Sequence, residues 1–387
     1  MIKFSYSEKA EEIREEFKKW LLDHPPPKVE VDSSLTAFIE AGKKWQKALA
    51  QDKWVGLHWP VEYGGRGLSL VEEAVVQEEL VRCGSPQLLG LFGLTMVGPV
   101  LIKHGTEQQK KRFLKKILLA DEIWCQGFSE PGAGSDLAAV STFAKKTKGG
   151  YLLSGQKVWT SFAQIADWCF VLCRTSKEEK KHKGLSYLLV NMKQQGIKVR
   201  PLKQITGDEE FNEVFFDEVF VPEENLVGKE GEGWKIAIAT LMYERVILTF
   251  ARMLQSEVAL SKLLLSLSED ERERHLSLFS SLITELVAVR ALAYSHLIKY
   301  AGGATPGPEG SLDKLFWSES FQKLCKTAVK VFGERCLNDE DIEAKEVLQR
   351  YLYSRGRTIA AGTSEIQRNI IAERILGLPR LKFAEKG

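Results

Sequence analysis

Gly127-Phe128-Ser129-Glu130-Pro131-Gly132-Ala133-Gly134-Ser135-Asp136 stands where one periodicity of the chain ends and another begins. Its glycines let backbone amides approach a ligand closely, and Ser129 and Ser135 add hydroxyls. It is not a dinucleotide fingerprint, because Leu137 takes the place of the last glycine of G-x-G-x-x-G and no strand-turn-helix pattern surrounds it. The P-loop pattern G-x-x-x-x-G-K-[ST] is missing as well. A doubly wound nucleotide-binding fold is therefore the wrong reading, and a loop of this kind taken alone is a turn at a domain boundary.

On its N-terminal side, residues 1–122 read as helices. Ala10, Ile13, Phe17 and Trp20 recur at three- and four-residue steps and stop at Pro25-Pro26-Pro27. Ser69 with Glu72 and Thr106 with Gln109 have the spacing of capping boxes, in which hydroxyl and N3 side chain satisfy each other's end amides. On its C-terminal side the period shortens. Tyr151–Ser154, Trp168–Arg174, Leu185–Val190, Ile197–Leu202 and Glu213–Val221 are short β-prone runs with no helix between them, which predicts an antiparallel sandwich or barrel over 123–228. Helical runs return over 229–387, broken near Ser268, at Gly302–Pro308, around Asn338 and at Gly362, as a bundle requires. The expected fold is multi-domain α+β: an N-terminal helical domain, a middle antiparallel β-barrel and a C-terminal four-helix bundle.

Three hundred and eighty-seven residues with 44% hydrophobic and 27% charged side chains make a packed chain rather than a disordered one. A net charge of +2 falls short of the basic patches that nucleic-acid binders use. Six cysteines without a C-x-x-C pair, and six histidines without H-E-x-x-H, give no metal site and argue for a reducing compartment. No apolar leader follows Met1, so we expect no secretion. The apolar run Trp234–Leu254 carries Glu244 and Arg245 at its centre, each costing about 2.5–3.5 kcal/mol in a bilayer. We read it as a buried helix and expect no membrane insertion.

The glycine-rich loop has company. Gly155-Gln156-Lys157-Val158-Trp159-Thr160-Ser161 follows a predicted strand, Trp59-Pro60-x-x-Tyr63-Gly64-Gly65-Arg66-Gly67 precedes the first capping box, and Thr358 to Ala372 reads TIAAGTSEIQRNIIA. With these four motifs in this order, the chain resembles the acyl-CoA dehydrogenase flavoproteins from about Phe17 to Arg380. The resemblance implies FAD held partly by a neighbouring subunit and an acyl-CoA thioester lying against the flavin. It places Gln126, Phe128, Ser129, Trp159, Thr160, Ser161, Thr363 and Glu365 on FAD, and Ser135, Met242, Arg245 and Gly362 on the substrate. It also implies electron-transfer flavoprotein as acceptor, a homo- or hetero-oligomer built as a dimer of dimers, and a cytoplasmic protein of a bacterium or archaeon.

The implied reaction, α,β-dehydrogenation to the trans-2-enoyl-CoA, needs a carboxylate to take the α-proton while the β-hydrogen leaves as hydride to flavin N5. Many members carry that glutamate just before the C-terminal Gly-Thr, where this chain has Ala361. Another branch uses a Glu-Arg pair on the first bundle helix, and Leu241-Met242-Tyr243-Glu244-Arg245-Val246 matches it. Apolar neighbours along that helix would desolvate Glu244 and strengthen it as a base. The other reading is a buried ion pair with a third group. Ala361 keeps its N–H, which in the family holds the thioester oxygen with a ribityl hydroxyl of the flavin.

Two family features are absent. Ser266–Arg272 replaces the segment with Arg-x-x-Phe-Gly, and Phe332-Gly333-Glu334-Arg335 replaces the usual Gly-Gly. Both normally serve the neighbouring protomer's FAD, which leads us to expect a heteromeric assembly. The alternatives are a flavin monooxygenase on the same fold and a non-catalytic subunit of a heteromeric dehydrogenase.

Overall fold

The computed structural model describes residues 6–28, 35–304, 306–338 and 340–380, with the side chains of residues 35 and 244–248 outside that description. Residues Ser7–Glu244 form one compact unit, and Met1–Tyr6 with Arg245–Gly387 another.

The first unit opens with helices α1 (Glu8–Asp23), α2 (Leu35–Gln51), α3 (Leu70–Arg82), α4 (Gly98–His104) and α5 (Glu107–Leu118). Ser7 caps α1, and both expected capping boxes are present, Ser69 with Glu72 on α3 and Thr106 with Gln109 on α5. Ala10 and Phe17 of α1 are fully buried. Arg14, on the same face, binds Glu78 and Glu79 of α3 at 2.7 and 2.5 Å. Leu94 and Met96 are buried in the π-helical turn Gly93–Val97, so their spacing serves the core.

Eight strands follow: β1 (Trp124–Gly127), β2 (Phe143–Thr147), β3 (Gly150–Ser161), β4 (Trp168–Arg174), β5 (Leu185–Asn191), β6 (Ile197–Leu202), β7 (Phe211–Pro222) and β8 (Leu226–Val227). They run in the order β6-β7-β3-β2-β4-β5-β8, with β1 beside β4. The pairings are antiparallel except that β1 lies parallel to β4, and β2 meets β4 in parallel at Phe143 and Arg174. Strand β1 arrives from the helical segment rather than from a hairpin, so nothing forces it to run antiparallel. Six residues of β4 and six of β5 are buried in succession, so both faces are covered. Cys169 and Cys173 lie in this core.

Strand β3 extends beyond the expected Ser154 to Ser161 because it passes through two bulges, at Leu153/Gly155 and at Lys157/Thr160. Gly155 has φ +147°, and a Cβ there would lie 2.5 Å from Thr142 Oγ1. The glycine that reads as a strand end is a bulge inside the strand.

The helical segment is fastened to the sheet. Gln109 Nε2 donates to Glu224 O and Leu226 O at 2.7 and 2.9 Å, Ile123 N–H donates to Asp167 Oδ2 at 2.9 Å, and Phe113 of α5 packs edge-on to Trp124 and Trp168. Both segments therefore belong to one compact unit, whatever boundary the change of period marks.

Helix α6 (Gly233–Leu265) leads from the first unit into the second, which continues with α7 (Glu269–Arg274), α8 (Leu276–Ala301), α9 (Gly310–Phe332), α10 (Ile342–Arg357) and α11 (Ser364–Ile370). Leu260 and Leu263 of α6, Phe279, Leu282 and Leu286 of α8, Leu324 and Ala328 of α9 and Ala344 of α10 share one apolar cluster. By length and composition α8 could cross a membrane. Its Arg290 is buried, however, and donates to Glu257 at 2.8 Å and to the Tyr6 hydroxyl at 3.2 Å, as a bundle helix does.

Candidate active site

The sheet unit gathers the first two motifs. Gln126 is the penultimate residue of β1, and the loop after that strand is stitched to β3: Val158 N–H donates to Ser129 O at 2.9 Å. Beneath this stitch lies Lys157, fully buried, whose Nζ donates to Phe128 O at 3.0 Å, Leu172 O at 2.7 Å and Glu130 Oε1 at 2.8 Å. Three donors meet three acceptors, so the buried ammonium is satisfied.

Glu130 also accepts from Ser141 N–H at 2.6 Å, Ser141 Oγ at 2.8 Å and Thr142 N–H at 2.9 Å. Burial alone would raise its pKa, but the Lys157 charge and these hydrogen bonds win and lower it from 4.5 to about 2. Burial moves Lys157 in the unfavourable direction, downward, and Glu130 opposes that. The pair anchors the loop. Neither residue stood out in the sequence, since a lysine one place from a strand bulge carries no periodic signature of burial.

The bulge itself turns Trp159 outward. It has φ +59° and is 61% exposed, with its ring edge-on to Phe211. A left-handed non-glycine residue costs about 1–2 kcal/mol. Thr160 next to it is fully buried, and its Oγ1 has no partner among the described residues, while its carbonyl accepts from Asn212 Nδ2 at 3.0 Å. Gln126 Nε2 is likewise buried without a partner among the described residues. Ser161 pairs with Phe211, and Phe128 packs edge-on to Phe170 and Tyr187. Ser135 lies exposed farther along the loop.

An unsatisfied buried donor or hydroxyl costs about 1–3 kcal/mol, which a polar planar ligand would recover. Gln126 Nε2 and Thr160 Oγ1, the latter next along the chain to the exposed Trp159, therefore fit a flavin. Trp159→Asn should leave the flavin-free protein within about 1 kcal/mol of the parent, because asparagine tolerates φ above zero. It should weaken FAD binding about tenfold. Thermal midpoints of the flavin-free protein and fluorescence titration with FAD would check this; lost stability with unchanged affinity would make Trp159 merely structural.

In α6, Met242 is partly buried, and Tyr243 has its phenol pKa raised by burial. The backbones of Glu244 and Arg245 continue this helix, and their side chains lie outside the described residues.

The second unit carries the last motif. After α10 the chain turns through Ala361 at φ +55° and Gly362 at φ +91°. Thr363 then caps α11, its Oγ1 accepting from Ile366 N–H at 3.2 Å. Glu365, exposed in the first turn of α11, has its pKa lowered by its own backbone N–H and by the Thr363 hydroxyl. Gln367 Nε2 reaches back to Ala361 O and Gly362 O at 2.9 and 3.2 Å. A Cβ on Gly362 would lie 2.6 Å from that nitrogen, so only glycine suits the turn.

The chain matches three successive family models, the acyl-CoA dehydrogenase N-terminal domain over residues 7–121, middle domain over 125–219 and C-terminal domain over 231–376. Acyl-CoA dehydrogenase IpdE1 of Mycobacterium tuberculosis is 40% identical over 385 residues, covering 96% of this chain and 98% of that protein. A solved structure described as "Tcur3481-Tcur3483 steroid ACAD" is similar with a TM-score of 0.86 at 27% identity, covering 98% of this chain and all of its own. The ChsE4-ChsE5 complex from Mycobacterium tuberculosis is similar with a TM-score of 0.81 at 28% identity, covering 98% of this chain and 100% of its own. Loop, bulge and left-handed turn thus stand in a chain that belongs to the acyl-CoA dehydrogenase family of FAD-binding oxidoreductases.

Proposed function

We propose that this enzyme converts an acyl-CoA thioester to the trans-2-enoyl-CoA, with Glu244 as the base that removes the α-proton. The observation that carries the proposal is the Glu244-Arg245 pair within α6 of a chain whose position before Gly362-Thr363 is Ala361. FAD, when bound, supplies the hydride acceptor for the β-hydrogen. Gln126, Phe128, Ser129, Trp159, Thr160, Ser161, Thr363 and Glu365 would hold it. The thioester oxygen gains negative charge as the α-proton leaves, and the Ala361 N–H is the backbone donor assigned to it. Ser135, Met242, Arg245 and Gly362 are assigned to the acyl-CoA.

The relative described as a steroid enzyme puts ring-bearing acyl groups beside straight, branched and dicarboxylic ones as candidates. Anaerobic titration of the FAD-loaded protein with such a panel tests the reading, and at least one thioester should bleach the flavin. If none does while FAD stays bound, the proposal fails. Oxygen uptake with an oxygenated product would favour a monooxygenase. Electron-transfer flavoprotein is the proposed acceptor and the cytoplasm the proposed compartment.

A heteromeric assembly is the second part of the reading. Where an Arg-x-x-Phe-Gly segment was expected, Ser268 forms a capping box with Glu271, and α7 begins Glu269-Asp270-Glu271. Three carboxylates in a first turn repel a phosphate. A related but non-identical chain would then supply the missing cations, as the two-name complex among the relatives illustrates. Native mass spectrometry should find fewer FAD than chains; a homotetramer with one FAD per chain would overturn this part.

A further inference from the structure

Lys314 lies near the start of α9 and is only 2% exposed, and its Nζ donates to Gly362 O at 2.7 Å. Burying an ammonium forfeits its hydration and its rotamer freedom, so a lysine kept here must gain something from what it holds. It holds a turn with two successive left-handed residues, Ala361 and Gly362, of which Ala361 is not a glycine. Gln367 Nε2 grips the same turn through both carbonyls.

The amides tell the complementary story. Ile359 N–H and Ala360 N–H both donate to Gly356 O, and Ser364 N–H donates to Thr358 O. Among the described residues no acceptor takes the N–H of Ala361 or Gly362. Carbonyls are bound on the protein side while two amides are left for a ligand. Helix α9 supports both ends of the turn, because Gln322, eight residues after Lys314 and on the same face, donates through Nε2 to Ser354 O at 3.1 Å and Thr358 Oγ1 at 2.8 Å.

We infer that Lys314, together with Gln367, is a positioning residue for transition-state charge: it holds Ala361 in its left-handed conformation, so that the Ala361 N–H stands ready for the thioester oxygen. The inference rests on the dehydrogenation proposed above. A donor already in place needs no rearrangement as the charge develops, and a charge-assisted bond to the turn is stiffer than a neutral one. Without the grip, Ala361 is free to leave the left-handed region, carrying its N–H with it.

The test uses the FAD-loaded assembly and 3-thiaacyl-CoA probes with short, long and ring-bearing acyl groups. These lose their α-proton on binding and then show a long-wavelength charge-transfer band. In Lys314→Met the pH midpoint of that band should rise by about one unit, a tenfold loss of anion stabilisation, and anaerobic flavin reduction should slow about 10- to 100-fold. FAD content and affinity for the un-ionised probe should match the parent, which a general loss of structure would not allow. Gln367→Leu carries the same expectation and takes over the test if Lys314→Met does not fold. Unchanged midpoints and rates in the folded variants would overturn the role given to Lys314 alone. A parent assembly that ionises none of the probes would overturn the dehydrogenase reading beneath it.

Discussion

Glu244→Gln is expected to keep bound FAD and to slow flavin reduction by acyl-CoA about 10²- to 10⁴-fold. Glutamine preserves the size and hydrogen-bonding shape of the side chain but cannot take a proton. Ile236, Ala237, Phe250, Met253 and Leu254 are buried along the helix, and the adjacent Tyr243 already has its ionisation suppressed by burial. Glu244 lies in an apolar run of the sequence, Trp234–Leu254. Stopped-flow reduction under anaerobic conditions measures the effect directly. A variant that reduces its flavin at the parent rate would remove Glu244 from the mechanism, and loss of FAD would recast it as a structural residue.

The second large effect concerns stability. Lys157→Met should destabilise the sheet unit by about 3–5 kcal/mol, because it leaves the Glu130 carboxylate buried without its counter-charge. The pair joins residues 27 positions apart, and the same ammonium holds the Phe128 and Leu172 carbonyls. The loop at 127–136 should loosen with it, so that, if it holds FAD as proposed, FAD is lost before the protein unfolds. Replacing both partners, Lys157→Met with Glu130→Leu, should recover part of the stability but not the FAD affinity, since Glu130 also binds Ser141 and Thr142.

The pH dependence has a definite sign. Glu130 has a folded pKa of about 2 against an ordinary 4.5, so its contribution is complete above about 4.5 and is lost as the pH falls toward 2. In Lys157→Met the depression shrinks, so less stability is lost between pH 4.5 and about 2, and the gap between variant and parent should narrow as the pH falls. Urea unfolding followed by tryptophan fluorescence between neutral pH and pH 3 measures both effects. A single variant within about 1 kcal/mol of the parent, with an acid limb as steep as the parent's, would contradict this account.

Much of the fold was legible because its signals are local. The capping boxes of Ser69 and Thr106 each join residues three apart, so a short window of sequence contains the whole interaction. Trp168–Arg174 and Ile197–Leu202 coincide with β4 and β6, since β-prone residues between turn formers need no distant partner to be recognised. Gly155 misled for the same reason. Locally it reads as a strand end, yet β7 pairs across it and carries the strand through the bulge to Ser161. The parallel partnership of β1 with β4 was equally invisible, because it depends on the direction from which the chain re-enters the sheet.

For the site, residue types and their order were readable directly: the loop at Gly127–Asp136, the Trp159-Thr160-Ser161 stretch, Glu244 within an apolar run and Ala361 before Gly362-Thr363. Those are properties of short windows and of resemblance between them. It took the folded chain to put Lys157 beneath the loop, to bury Gln126 Nε2 and Thr160 Oγ1 without partners among the described residues, and to bring Lys314 to Gly362 O across 48 positions. The physical reason is that a buried charge has no period. Its place is set by whichever carbonyls and carboxylates the folded chain brings within 3 Å of it, and those come from segments that share no window of sequence.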